Sequence, residues 1–216
     1  MPAAPSPDSH AGLMDRVYRR QRHVYDFTRK YYLFGRDRLI RDLVLPPGAS
    51  LVEVGCGTAR NLIAIAKAYP GTRLYGLDAS KAMLESARMA IERAGLEHRI
   101  LLRQGLAEDF TPAQFEVESF ENVLFSYSLS MIPDWRGALA AGSAALSPSG
   151  RLHVVDFGDL AGLGQLGEHA MRSWLRLFHV TPRVEFLSGL ERVAGERGHL
   201  TLLFGRYAFI FSQEKM

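Results

Sequence analysis

Leu51-Val52-Glu53-Val54-Gly55-Cys56-Gly57-Thr58-Ala59-Arg60-Asn61 is the stretch whose reading decides the fold. A short, mostly apolar strand runs into a glycine-rich turn, and a helix follows. Asp78, in Tyr75-Gly76-Leu77-Asp78-Ala79-Ser80, closes the next strand 21 residues beyond Gly57. Glycines between strand and helix let a nucleoside-bearing ligand approach the backbone at a helix N-terminus, and an acid ending the second strand suits ribose hydroxyls. A dinucleotide fingerprint, G-x-G-x-x-G, needs glycine at position 60, where this chain has Arg60. What stands instead is E-x-G-x-G-x-A. A tight strand-to-helix connection alone would explain the glycines. It would not explain Glu53, because a carboxylate inside a buried strand is costly unless it meets a cation or hydrogen-bond donors.

Working outward, the pattern alternates strand and helix. Strands are expected at 51–54, 73–77, 99–103, 121–126 and 151–156, with helices near 58–69 and 80–94 and from Asp134 to Leu146. Pro70-Gly71 and Gly95 stop the first two helices. The last third predicts helices near 166–178 and 188–197 and an apolar hairpin around 184–187 and 200–211. Alternating units with helical crossovers give a parallel sheet covered on both faces, and the hairpin adds an antiparallel edge.

Residues 1–11 are proline-rich and polar, and read as a disordered tail. Residues 12–216 read as one domain, of which 12–45 form a helical cap. Within the cap Leu13, Val17, Val24, Phe27 and Tyr31 trace one helical face, and Gly35 divides the helix. The chain has 216 residues, 47% hydrophobic and 23% charged, the balance of a soluble globular protein. No apolar run approaches the ~18 residues of a spanning helix, and no secretory leader is evident. Cys56 is the single cysteine, so neither a disulfide framework nor a cysteine-based metal site is expected, and no metal. A cytoplasmic location follows as the expectation. The net charge of +3 is unevenly spread: residues 13–43 carry +5 and the remainder −2.

The E-x-G-x-G-x-A turn with Asp78 resembles the cofactor motif of S-adenosylmethionine (SAM) methyltransferases. The resemblance implies a Rossmann-like class I fold: a seven-stranded, mostly parallel sheet under an N-terminal helical cap. It implies SAM as cofactor. Glu53 and the backbone of Gly55 and Gly57 would face the methionine end, where SAM brings an ammonium and a sulfonium, and Asp78 would hold the ribose. Cys56, Asn61, Ala79 and Met83 complete the turn's neighbourhood, and Tyr25, Tyr32 and Arg36 would reach the cofactor from the cap. After strand three, Leu106 stands where the family usually has an adenine-binding Asp, leaving Ala107 and Glu108 as the adenine contact. Cys56 reads as a small residue fitted beside the cofactor rather than a nucleophile. After strand four, the Asn/Asp-Pro-Pro-Tyr/Phe motif of amino-methylating nucleic-acid enzymes is missing. Ser126 and Tyr127 would lie beside the transferring methyl, with a core aromatic as the plainer reading of Tyr127. Asp156, His179 and Arg183 are further candidates, Tyr127, His179 and Asp156 as catalytic groups. A lone histidine such as His179 is more often a structural group than a catalyst.

The segment Tyr25-Asp26-Phe27-Thr28-Arg29-Lys30-Tyr31-Tyr32-Leu33-Phe34-Gly35-Arg36-Asp37-Arg38 resembles the cap of lipid- and quinone-modifying methyltransferases. With Tyr18-Arg19-Arg20-Gln21-Arg22-His23 before it, the likeness narrows to the betaine-lipid synthesis N-methyltransferases. These convert diacylglycerylhomoserine to its trimethylated form. The resemblance implies a lipid head-group substrate, with Tyr18, Arg29 and Arg183 contacting it, and peripheral association with an anionic membrane surface at the inner face of the cytoplasmic membrane. A basic helix with an apolar and aromatic face suits such a surface. Phosphatidylethanolamine N-methylation and quinone-ring C-methylation are the alternatives. An NAD(P)-dependent oxidoreductase is opposed by Arg60 and Glu53, and a nucleic-acid partner is not expected.

Overall fold

The computed structural model describes residues 33–176, Leu187, Gly189, Leu190 and 198–215. The expected tail over 1–11, the helix before Leu33, and Tyr18, Tyr25, Arg29, Tyr32, His179 and Arg183 lie outside the described residues. So does most of the expected 188–197 helix.

Helix α1 (Arg36–Asp42) starts at the left-handed Gly35 and buries Leu39 and Ile40. Pro46-Pro47 then leads into β1 (Ser50–Val54), buried along its whole length. Then follow α2 (Arg60–Ala68), β2 (Arg73–Asp78), α3 (Lys81–Arg93), β3 (Ile100–Gln104), β4 (Phe120–Ser126), α4 (Trp135–Ala144), β5 (Leu146–Phe157), α5 (Gly164–Arg176), β6 (Gly198–Leu203) and β7 (Ala208–Glu214). The Ser80 hydroxyl caps α3 by accepting from the Met83 amide at 3.3 Å, and the Asp134 carboxylate caps α4 by accepting from Gly137 at 3.0 Å.

The seven strands lie in the order β3-β2-β1-β4-β5-β7-β6. The first five are parallel, and β7 is antiparallel to both β5 and β6. Strand order reverses between β1 and β4, so ligands should sit beyond the C-terminal ends of these two strands. Successive residues of a strand face opposite sides. Leu51 packs with Leu62, Ile65 and Leu84 on one face, while Val52 and Val54 join Phe115, Phe120, Phe125 and Trp135 on the other. Glu53 therefore points to the α2 face.

The seven-stranded, mostly parallel sheet is the expected one, but three elements differ. The chain reverses at Phe204-Gly205-Arg206, all three left-handed, so the apolar run expected as one strand over 200–211 is itself the hairpin, β6 with β7. Leu187, expected in a strand, is helical. Helix α4 ends at Ala144, because Leu146 pairs with Phe120 across a register shift and already belongs to β5. A short 3-10 helix at Pro112–Phe115, closed by a Thr111–Gln114 capping box, has no counterpart in the sequence reading. No helix among the described residues is long and apolar enough to cross a membrane, and no cluster of side chains there could hold a metal ion.

One polar chain runs through the sheet. His153 on β5 bonds Ser212 Oγ of β7 at 2.9 Å and Asn122 Oδ1 of β4 at 3.2 Å, and Asn122 Nδ2 donates to the Ser50 carbonyl at 3.3 Å. The Asn122 oxygen only accepts, so His153 carries its proton on Nε2 and Nδ1 receives the serine hydroxyl. Burial, then the Arg151 charge, lower its pKa from 6.5 to about 4. Between those values the unfolded chain binds a proton that the folded chain does not. Stability is therefore expected to fall as pH drops from 6.5 towards 4, by about 3 kcal/mol in all. Melting temperatures over that range should flatten in a His153→Gln variant.

Candidate active site

The predicted position, beyond the ends of β1 and β4, holds a cleft in two halves that share Gly55 and Gly57. The larger half lies over the glycine turn. Asp78, Ala79 and Met83 line it after β2, Gly105 to Glu108 after β3, and Tyr127, Ser128, Met131 and Ile132 after β4. The smaller half lies between Arg36 of α1, Glu53 of β1, Asn61 of α2 and Ser126 of β4.

The turn between β1 and α2 is tied to β2 through its backbone amides. The amides of Gly55 and Cys56 both donate to the Leu77 carbonyl, at 2.8 and 2.9 Å. The Gly57 amide donates to Asp78 Oδ2 at 2.8 Å. The glycines therefore contribute open surface shared by both halves, and their N–H groups are spent within the protein. Asp78 accepts from the Ser80 amide as well, at 2.9 Å. The carboxylate is thus locked between the turn and the start of α3, where its remaining lone pairs can accept from a ribose diol. Leu77, Met83, Leu106 and Ile132 supply apolar walls for a flat ring, and Leu106 lines the cleft itself.

In the smaller half, Glu53 is 1% exposed and its Oε1 accepts from Asn61 Nδ2 at 2.6 Å. Arg36 is 9% exposed and its Nε donates to the Leu33 carbonyl at 3.2 Å. A carboxylate and a guanidinium facing one recess match the ammonium and carboxylate of an amino acid. Ser126 Oγ is buried in the same wall and has no hydrogen-bond partner among the described residues, a polar atom that a bound ligand would satisfy. The Cys56 thiol is held neutral, its pKa raised by burial and by the charges of Asp78 and Glu53. It packs as a small buried residue and offers no thiolate.

The catalytic candidates fall out differently. Asp156 is fully buried and lines neither half of the cleft. Its oxygens accept from the amides of Ser130 at 3.0 Å and Phe157 at 2.8 Å. It holds the loop after β4 against β5, and the expectation that it acts on substrate is corrected. Tyr127 does line the cleft, but its hydroxyl donates to the Phe34 carbonyl. Burial, then Asp156 and Tyr207, raise its pKa well above the usual tyrosine value, with Arg36 opposing, so it stays protonated. Gly105, Leu106, Ser128, Met131 and Ile132 were missed. Apolar and small wall residues carry no chemical signature, and only their place in loops following parallel strands could have flagged them.

A methyltransferase-domain family (Methyltransf_25) matches residues 51–150. The ubiquinone/menaquinone biosynthesis C-methyltransferase UbiE of Syntrophotalea carbinolica is 30% identical over 182 residues, covering 80% of this chain and 69% of the relative. The chain belongs to the class I SAM-dependent methyltransferases. Nocamycin O-methyltransferase of Saccharothrix syringae is 29% identical over 196 residues, or 89% of this chain, which spans 65% of that enzyme's length. Among solved structures, the apo form of the SAM-dependent methyltransferase SibL superposes with a TM-score of 0.64 at 24% identity. That likeness covers 92% of this methyltransferase and 57% of SibL, and it speaks for the fold alone. SAM is the cofactor of this methyltransferase, and the donor set fits it: an amino-acid recess, a carboxylate at the ribose position, an apolar slot beyond.

Proposed function

We propose that this methyltransferase modifies the polar head of a membrane-resident amphiphile, and that the head is the amine of diacylglycerylhomoserine, carried to its trimethylated form. The observation that carries this reading is the Tyr25–Arg38 segment, with its resemblance to betaine-lipid N-methyltransferases. Its described end supports the assignment: Leu33 and Arg36 wall the cofactor cleft directly, so the segment belongs to the reaction site. Residues 13–43, with their charge of +5, would hold the enzyme at an anionic bilayer. SAM supplies an activated methyl group on sulfonium. The protein supplies alignment and desolvation: Asp78 fixes the nucleoside, Glu53 and Arg36 orient the amino-acid end, and the apolar lining of the larger half excludes water. A neutral amine attacks without an ionised protein nucleophile: the carbon–sulfur bond breaks as the nitrogen–carbon bond forms, the neutral thioether leaves, and solvent takes the ammonium proton after each of the first two rounds. That suits a cleft whose tyrosine is protonated and whose thiol is neutral.

A second reading has its own support. UbiE, by its name a C-methyltransferase of ubiquinone/menaquinone biosynthesis, aligns over 80% of this chain, and the relatives favour a quinone-type acceptor over an amine. Phosphatidylethanolamine is the third candidate. Purified protein with SAM should be offered diacylglycerylhomoserine, demethylmenaquinone and phosphatidylethanolamine, each dispersed in detergent, with products followed by mass spectrometry. Successive mono-, di- and trimethylated diacylglycerylhomoserine is the expected result. Methylation of demethylmenaquinone alone would establish the second reading and reject the first.

A further inference from the structure

Several contacts converge on Leu33–Arg36, the stretch through which the N-terminal segment joins the sheet. The Phe34 ring packs against Phe204 and Tyr207, with centroids 5.0 and 5.5 Å apart. The Phe34 carbonyl receives the Tyr127 hydroxyl. Gly35 lies so close to the β6–β7 hairpin that a Cβ there would stand 2.7 Å from Leu203 Cδ1. Arg36 comes next and enters the amino-acid half of the cleft.

Tyr127 reaches Phe34 at a cost. Its φ is 54°, a left-handed conformation that opposes a bulky side chain. Its amide is fixed to the Val155 carbonyl at 2.8 Å and its ring is wedged edge-on against Phe157 at 4.8 Å. An extended Tyr127 would direct the ring elsewhere. The strained backbone is what aims the hydroxyl at Phe34, and such strain persists where the surroundings hold it in place.

We propose that Tyr127 is a positioning residue for the cofactor's amino-acid end: by holding the Phe34 carbonyl it sets Arg36 opposite Glu53, where the guanidinium meets the carboxylate of SAM. One residue, Gly35, separates the held carbonyl from Arg36, and glycine is the most easily deformed link the chain has. Releasing the carbonyl loosens one support of Arg36 while its Nε bond to the Leu33 carbonyl remains. Asp156 enters the same device from below, since it pins the Ser130 amide and with it the loop that carries Tyr127.

The test measures the affinities of SAM and of decarboxylated SAM, by calorimetry, for the full-length protein and its variants. Tyr127→Phe should weaken SAM about fivefold, the effect of one lost buried hydrogen bond, and leave decarboxylated SAM unchanged. Arg36→Gln should show the same pattern with a larger loss for SAM. The double variant should bind SAM no more weakly than Arg36→Gln alone. Gly35→Ala displaces the same link from the hairpin side with the hydroxyl intact, and should reproduce the Tyr127→Phe pattern. Equal weakening of both ligands by Tyr127→Phe would mean a general loss of structure and overturn the proposal. So would independent, multiplying losses in the double variant, or an unchanged affinity for SAM.

Discussion

Asp78→Ala is expected to weaken SAM binding by about two orders of magnitude while leaving the sheet folded. The carboxylate has two kinds of partner, and both are lost. Towards the ligand, charge-assisted hydrogen bonds to a ribose diol contribute roughly 1.5–3 kcal/mol, and every 1.4 kcal/mol is tenfold in affinity. Towards the protein, Asp78 accepts from the Gly57 and Ser80 amides and so holds the glycine turn to the start of α3. The alanine variant leaves both amides to water and loosens the surface on which the cofactor lies. Asp78→Asn separates the two contributions. Its amide oxygen can still accept one of the backbone bonds, but its NH2 group then faces a backbone donor. It should fall between wild type and alanine. Calorimetric titration with SAM, together with a melting curve to confirm folding, checks the ordering. An affinity for SAM unchanged in Asp78→Ala would remove Asp78 from the ribose site.

Much of this architecture is written locally. The strand of Leu51–Val54, the turn at Gly55–Gly57 and the helix after it follow from apolar runs, glycines and a short separation in sequence, so the sheet and the cofactor could be read before any coordinates. What escaped reading depends on direction. The glycine motif says that a ligand can approach the backbone but not where the N–H groups go, and those of Gly55 and Gly57 go to Leu77 and Asp78, a choice made by neighbouring strands. Asp156 looked like a catalytic acid because it ends a strand at the active edge. The pleat, however, turns it inward, where the amides of Ser130 and Phe157 donate to it. Tyr127 lines the cleft with its hydroxyl turned to Phe34, and its left-handed backbone cannot be inferred from a run such as Phe125-Ser126-Tyr127-Ser128. The late hairpin was misplaced for a related reason. Phe204 and Tyr207 flank the reversal with aromatic residues that read as strand, and the left-handed residues between them carry a weak turn signal in Gly205 alone.

Gly55→Ala is expected to damage fold and function together, because Gly55 is the point where the two halves of the cleft meet. Its φ is 79°, which any side chain resists, and an added Cβ would stand 2.5 Å from Ser128 Cβ. Ser128 cannot easily retreat. Its hydroxyl donates to the Val54 carbonyl at 2.9 Å, and its backbone begins the loop that Asp156 anchors through Ser130. The turn itself is equally constrained, since the Gly55 and Cys56 amides share the Leu77 carbonyl. Strain of about 1–2 kcal/mol from the backbone and about 1–3 kcal/mol from overpacking then add at one site. For a chain of this size that corresponds to a fall of roughly 10 °C in melting temperature. Gly95→Ala is the control: Gly95 also has a positive φ, 67°, but nothing lies within 4 Å of its would-be Cβ, so only the backbone contribution remains. A Gly55 variant that melts no lower than the Gly95 variant would show that the Ser128 loop yields, and the cleft would then be softer than its hydrogen bonds imply. If the loop holds, SAM binding is lost along with the stability, since the alanine methyl projects into the surface that both halves of the cofactor share.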